Sequence, residues 1–171
     1  MQEILIGFLI VLLKLVAAIG LSAGALYSGM SLIDRLTSGI EEWKEIKKGN
    51  AAVGLLFLSV MVAIVLLMEI RISDVLFSIR ADLGLLMAAK LLFFSIINYA
   101  LGLLASVIII FLTINTVDRI TGDINEFSEL KKGNLAVALI LATSLILITL
   151  AARHPFESAF DIIIRMESAF L

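Results

Sequence analysis

Lys14, Lys90, Asn98 and Asn115 lie inside long apolar runs of the sequence. In a bilayer such side chains line an ion or proton path, or they reach back to water at its edge. A second set flanks the runs. Asp34-Arg35-x-Thr37 and Asp118-Arg119-x-Thr121 each place an acid, a guanidinium and a hydroxyl within four residues. Lys48-Gly49-Asn50 and Lys132-Gly133-Asn134 each place an ammonium, a glycine and an amide side by side. Such groups can form ion pairs or present polar atoms to an ion, a lipid headgroup or a partner chain. Covalent chemistry has little to work with. There is no Cys, so no thiolate nucleophile, disulfide or Cys-ligated metal. His154 is the only histidine, which leaves no His-based metal cluster within one chain. No phosphate loop, dinucleotide fingerprint or nucleophile elbow occurs. No catalytic residue, metal or cofactor is therefore expected, and an enzyme is the weakest functional class.

The elements that position these residues are apolar. Of 171 residues, 61% are hydrophobic, and the mean hydropathy is +1.14. That composition leaves too little polar surface to cover a core in water. The 13 Lys and Arg against 15 Asp and Glu give a net charge of −2, without the basic excess that nucleic-acid binding needs. The bilayer is the expected environment.

The tetrapeptide KKGN occurs twice, at Lys47–Asn50 and Lys131–Asn134, which are 131 − 47 = 84 residues apart. At that offset Ile33–Val53 and Val117–Val137 agree at 12 of 21 positions. An internal duplication follows. Long apolar runs flank both copies: Ile4–Ile33 and Ala51–Met68, then Leu83–Val117 and Leu135–Ala152. A helix needs about 20 apolar residues to cross a bilayer. The expected fold is all-α and polytopic, with four transmembrane helices from two parallel two-helix repeats, related by a pseudo-twofold axis along the membrane normal. The expected division is 1–80 and 81–171. Short amphipathic helices are expected near 38–48, 73–80, 123–132 and 155–171. Ala23-Gly24-Ala25 resembles a cleavage site, but the start lacks a positive region and the run has a full-length counterpart, so the first helix is expected to be retained.

Two spans per repeat put both KKGN loops on one face and both chain ends on the other. The loop face carries Arg35, Lys44, Lys47, Lys48, Arg119, Lys131 and Lys132. The other carries Arg71, Arg80, Arg153 and Arg165. Seven against four points the loops to the cytoplasm and the termini outward.

KKGN itself reads as a stop, a corner and a start. The lysines suit the negative end of a helix dipole, glycine suits the left-handed exit, and asparagine caps the next span. Ser38-x-x-Glu41 and Asp123-x-x-Glu126 are candidate caps for the short helices. The alternative is that the two Gly-Asn corners meet at the axis and present amides there. Reciprocal pairs, Asp34 with Arg119 and Asp118 with Arg35, are a sharper reading of the flanks than solvated boundary charges. Lys14 and Lys90 are read as snorkelling to the outer interface, with cavity lining as the alternative. Gly20, Gly24 and Ser28 repeat every four residues, with Ala25 and Gly29 in a neighbouring row, and form a close-packing face. The second repeat has Leu104 and Ile108 in place of Gly20 and Gly24.

The signature K-G-N-x-A, at Lys48, Gly49, Asn50 and Ala52 and again at Lys132, Gly133, Asn134 and Ala136, resembles the uncharacterised prokaryotic membrane family catalogued as domain of unknown function three-fifty. Gly54 stands where the signature has the alanine found at Ala138. The resemblance spans both repeats and implies two-helix membrane units; it brings no activity. The leading expectation is a non-catalytic assembly protein, a homo-oligomer or a subunit with a membrane partner. A small channel or transporter with a path near the axis is the alternative.

Overall fold

The computed structural model describes residues 2–36, 42–79, 85–122 and 125–168. It is all-helical there. α1 spans Gln2–Leu36, α2 Glu42–Lys47, α3 Ala51–Ser78, α4 Leu85–Thr121, α5 Glu126–Lys131 and α6 Leu135–Ser168. Four of them, α1, α3, α4 and α6, are long and apolar enough to cross a membrane. Each repeat is therefore a long helix, a short one, and a second long one.

Two expected elements are not separate. The 73–80 segment continues α3 without a break to Ser78, and Ile79 caps it. No Gly or Pro intervenes after Met68, and the charges that suggested an exit find partners within the bundle. The expected 155–171 helix is likewise, over its described residues, the end of α6, which runs through Pro155 to Ser168. Pro155 removes one backbone donor, which long membrane helices tolerate. At about 1.5 Å per residue, the 37-residue α4 is about 55 Å long, well beyond an apolar core of about 30 Å.

α3 and α6 form the central pair, α4 lies against both, and α1 packs on α3 and the near side of α4. The main core joins Val60, Ala63, Ile64 and Met68 of α3 to Leu103, Val107 and Ile110 of α4 and Leu145 of α6. A second core at the loop end joins Ala52, Val53 and Leu56 to Leu130, Val137, Ala138 and Leu141. Between the central helices, Arg153 Nη2 lies 3.0 Å from Glu69 Oε2. Position 153 is position 69 shifted by 84, so equivalent residues of the two repeats pair with each other. That contact marks the pseudo-twofold axis.

The small residues of α1 act unevenly. Ala25 and Gly29 are buried. A Cβ at Gly29 would lie 2.7 Å from Ile64 Cδ1, so α1 and α3 touch closely there. At Gly24 the neighbour is Tyr99, whose hydroxyl donates to the Leu21 carbonyl at 2.8 Å. Gly20 has no neighbour within 4 Å, and Ser28 is half-buried.

Candidate functional site

Both KKGN corners have the same construction. The short helix ends with a paired backbone closure: Gly49 N donates to Ile46 O at 2.9 Å and Asn50 N to Glu45 O at 3.1 Å. The second copy repeats it, Gly133 N to Leu130 O at 2.9 Å and Asn134 N to Glu129 O at 3.0 Å. Gly49 and Gly133 have φ of 83° and 81°, a left-handed turn that favours glycine. Each asparagine then caps the following long helix. Asn50 Oδ1 accepts from Ala52 N and Val53 N at 3.1 and 3.2 Å. Asn134 Oδ1 accepts from Ala136 N and Val137 N at 3.1 and 3.4 Å.

Lys48 and Lys132 fold back on Glu45 and Glu129, at 2.5 and 2.7 Å. Lys48 and Asn50 hold the Glu45 carboxyl below its ordinary range; Asn134 and Lys132 do the same for Glu129. Lys47 and Lys131 remain exposed.

The corners meet, and not symmetrically. Asn50 Nδ2 crosses to the end of α5, donating to Leu130 O at 2.8 Å and more weakly to Lys131 O at 3.3 Å. Asn134 Nδ2 instead donates to Glu129 Oε2 of its own short helix at 2.8 Å. One side chain thus caps α3 and ties the second repeat to the first.

Of the expected reciprocal pairs, Asp34 with Arg119 is not formed, and Asp118 with Arg35 lies outside the described residues. Asp34 and Arg119 are both exposed, and no ion pair joins them among the described residues. Thr37, Ser38, Glu41, Arg80 and Asp123 lie outside the described residues, as does the Arg35 side chain. α5 is capped by Asn125, whose Oδ1 accepts from Ser128 N at 2.9 Å. Thr121 turns back to the Val117 carbonyl at 2.9 Å. Asp34 sits at the edge of a groove of about 360 Å³ floored by Leu26, Met30 and Phe57, with Trp43 edge-on to Phe57 at 5.0 Å.

Asp118 lies near a second carboxyl. Glu126, in the first turn of α5, is buried, and the nearby Asp118 carboxyl acts on it. Neither Glu126 oxygen has an N–H or hydroxyl donor among the described residues. Two carboxyls can share a hydrogen bond only when one keeps its proton. Burial, then the Asp118 contact, pushes the Glu126 carboxyl above its ordinary range. A carboxyl raised in the folded state stabilises the fold fully at acid pH, below its unfolded value. That contribution is lost as pH rises through the raised value. Glu126→Gln keeps a donor toward Asp118 at every pH. Thermal unfolding in detergent from acid to neutral pH is expected to show a flatter profile for Glu126→Gln and a gain of about 1 kcal/mol at neutral pH. An unchanged profile would mean that the carboxyl pair does not titrate with folding.

Of the intramembrane polar residues, Asn98 is buried in the bundle, Asn115 and Lys14 are half-buried, and Lys90 is exposed. Arg71, assigned above to the outer flank, is buried in the bundle instead. Its Nη1 lies 3.1 Å from Asp74 Oδ2, and its side chain packs on Gly102 of α4. Arg153, counted above among the outer-face charges, has its partner in Glu69. Their signal is arithmetical: opposite charges at positions 84 apart.

These features define a polytopic α-helical membrane protein of two helix-pair repeats, locked together at the loop end and at the axis. The chain belongs to the family described as Domain of Unknown Function (DUF350), which it matches in two tandem copies, over residues 5–94 and 90–167. No curated protein and no solved structure matches it significantly.

Proposed function

We propose that the chain is a non-catalytic building block of a membrane assembly, a homo-oligomeric scaffold or an accessory subunit. The observation that carries this reading is the unequal cover of equivalent helices. α4 buries ten of its described residues, from Ser95 to Val117, among them Asn98, Gly102 and Ser106. α1, its counterpart in the first repeat, buries only Ala25 and Gly29 among its described residues. A helix with the same place in a duplicated design has lost most of its protein neighbours within the chain. The Gly-Asn corners support the same reading, since their amides and backbone groups are used in capping and in joining the repeats. In this reading the corners face the cytoplasm, with Lys47 and Lys131 toward headgroups or a partner, and the termini lie outside.

Native mass spectrometry of the protein in lipid nanodiscs is the test. A closed oligomer or a co-purifying chain is the expected result, and a monomer without partner would overturn it. The second reading is a channel or transporter near the axis, favoured by one observation: Asn98 and Arg71 are polar and buried between the spans. Proteoliposome flux that vanishes on replacing Asn98 would support it over the assembly.

A further inference from the structure

The two repeats share a sequence pattern but not a pattern of neighbours. Under the pseudo-twofold axis, the seam between α3 and α4 has a counterpart between α6 and α1. The first seam is extensive; in the second, α6 and α1 scarcely touch. The residues record the difference position by position. On α3, Ala63, Leu67 and Arg71 are spaced four apart and face α4, at 0%, 2% and 1% exposure. Leu67 shares a small cluster with Phe156 of α6, against which Ala105 and Ile109 of α4 pack, and Arg71 packs on Gly102. Their counterparts on α6, shifted by 84, are Leu147, Ala151 and Pro155. All three are exposed, Leu147 at 59%. On α4, Leu103 and Val107 enter the main core at 9% and 3% exposure. Their counterparts on α1 are Ile19, exposed at 64%, and Ala23, also exposed.

Both halves of a second seam are therefore present, both are open, and they do not face each other within the chain. We propose that a second copy closes the seam: α1 of one chain packs on the Leu147–Ala151–Pro155 face of α6 in the next, repeating between subunits the α3–α4 contact made inside each. This rests on the assembly reading above and names its partner as the chain itself. Lipid could cover either face singly. The copy is favoured because the contact continues an interface the sequence already builds, and because Ala18, Ala23 and Ala151 allow close helix approach. Each subunit gives one α1 and receives one, a head-to-tail contact that closes as a dimer or a ring where the rotation between subunits allows it.

The internal seam supplies the crosslinking geometry. A Cβ at Gly102 would lie 3.7 Å from Arg71 Cβ, within the range for a disulfide. The corresponding intersubunit pair is Ala18 with Pro155. Because the protein has no cysteine, one tagged chain carrying Ala18→Cys and one carrying Pro155→Cys can be co-expressed and oxidised in membranes. The mixed product is expected at about tenfold or more over either homotypic product. Leu147→Trp, which lipid tolerates but a closed seam does not, is expected to shift the nanodisc mass from oligomer toward monomer. An oligomer that gives no mixed product and is unmoved by Leu147→Trp overturns this seam and leaves the assembly reading standing. A monomer for the unmodified chain overturns both. A dominant Ala18→Cys homotypic product overturns the seam in favour of α1 against α1.

Discussion

Arg71→Leu is expected to lower the unfolding free energy in detergent by about 2–3 kcal/mol, toward the low end for breaking a buried ion pair from one side. Arg71 is 1% exposed and Asp74 is 30% exposed, so water relieves part of the loss at the aspartate. The Arg71 stem also fills the space left by Gly102, where a Cβ would lie 2.6 Å from Arg71 Cγ and 3.2 Å from Cδ. Gly102→Val is accordingly expected to cost about 1–3 kcal/mol by overpacking. The two costs come from one contact and should not add. In a double-mutant cycle, Gly102→Val made in an Arg71→Ala background is expected to cost clearly less than in the unmodified chain. Strict additivity would show that Arg71 and Gly102 do not pack in the membrane as they do here. A neutral Arg71→Leu would show that the guanidinium is not buried.

Asn50→Ala and Asn134→Ala remove the same cap from equivalent helices, so their difference sets the Asn50 bond to Leu130 against the Asn134 bond to Glu129. Losing a cap costs about 1 kcal/mol. Asn50→Ala also deletes the bond to the Leu130 carbonyl, and with it the tie between the corners. That bond adds about 1 kcal/mol more. Asn50→Ala is thus expected to destabilise by about 2 kcal/mol and Asn134→Ala by about 1 kcal/mol, because the bond it loses to Glu129 is largely replaced by water and by Lys132. Limited proteolysis should follow the same order. Asn50→Ala frees the second corner for cleavage near Lys131, whereas Asn134→Ala leaves the first corner closed near Lys47. Equal losses would mean that the link between repeats adds no more stability than the bond from Asn134 to Glu129 within one repeat.

The corners were legible because capping is local chemistry. Glycine's left-handed exit and asparagine's short acceptor act on neighbours within a few residues, and the sequence contains them all. The span count was legible because four apolar runs flank a visible repeat. Arg71 was not, because a charge near the end of an apolar run reads as a boundary unless its partner is seen. Asp74 is that partner, but the close approach of Gly102 is a tertiary fact. Pro155 misled in the same way. After Arg153 and His154 it reads as the first residue of a new helix, yet the bond from Arg153 Nε to Glu157 Oε1 at 2.9 Å spans it from one turn to the next. The corners' asymmetry was illegible in principle, since matching residues predict matching bonds. Only the packing chooses which asparagine reaches across.

The Glu69–Arg153 contact has a consequence for how such a chain came to be one chain. An ancestor that paired two copies of a single repeat would have set this position against itself, where opposite charges are impossible. With opposite charges at the two places, each half now repels its own kind and attracts the other. Made as separate polypeptides, the halves would choose each other over themselves. Duplication followed by a change of sign works as a ratchet: once the pair is complementary, returning to one gene for one repeat means losing the partner at the axis.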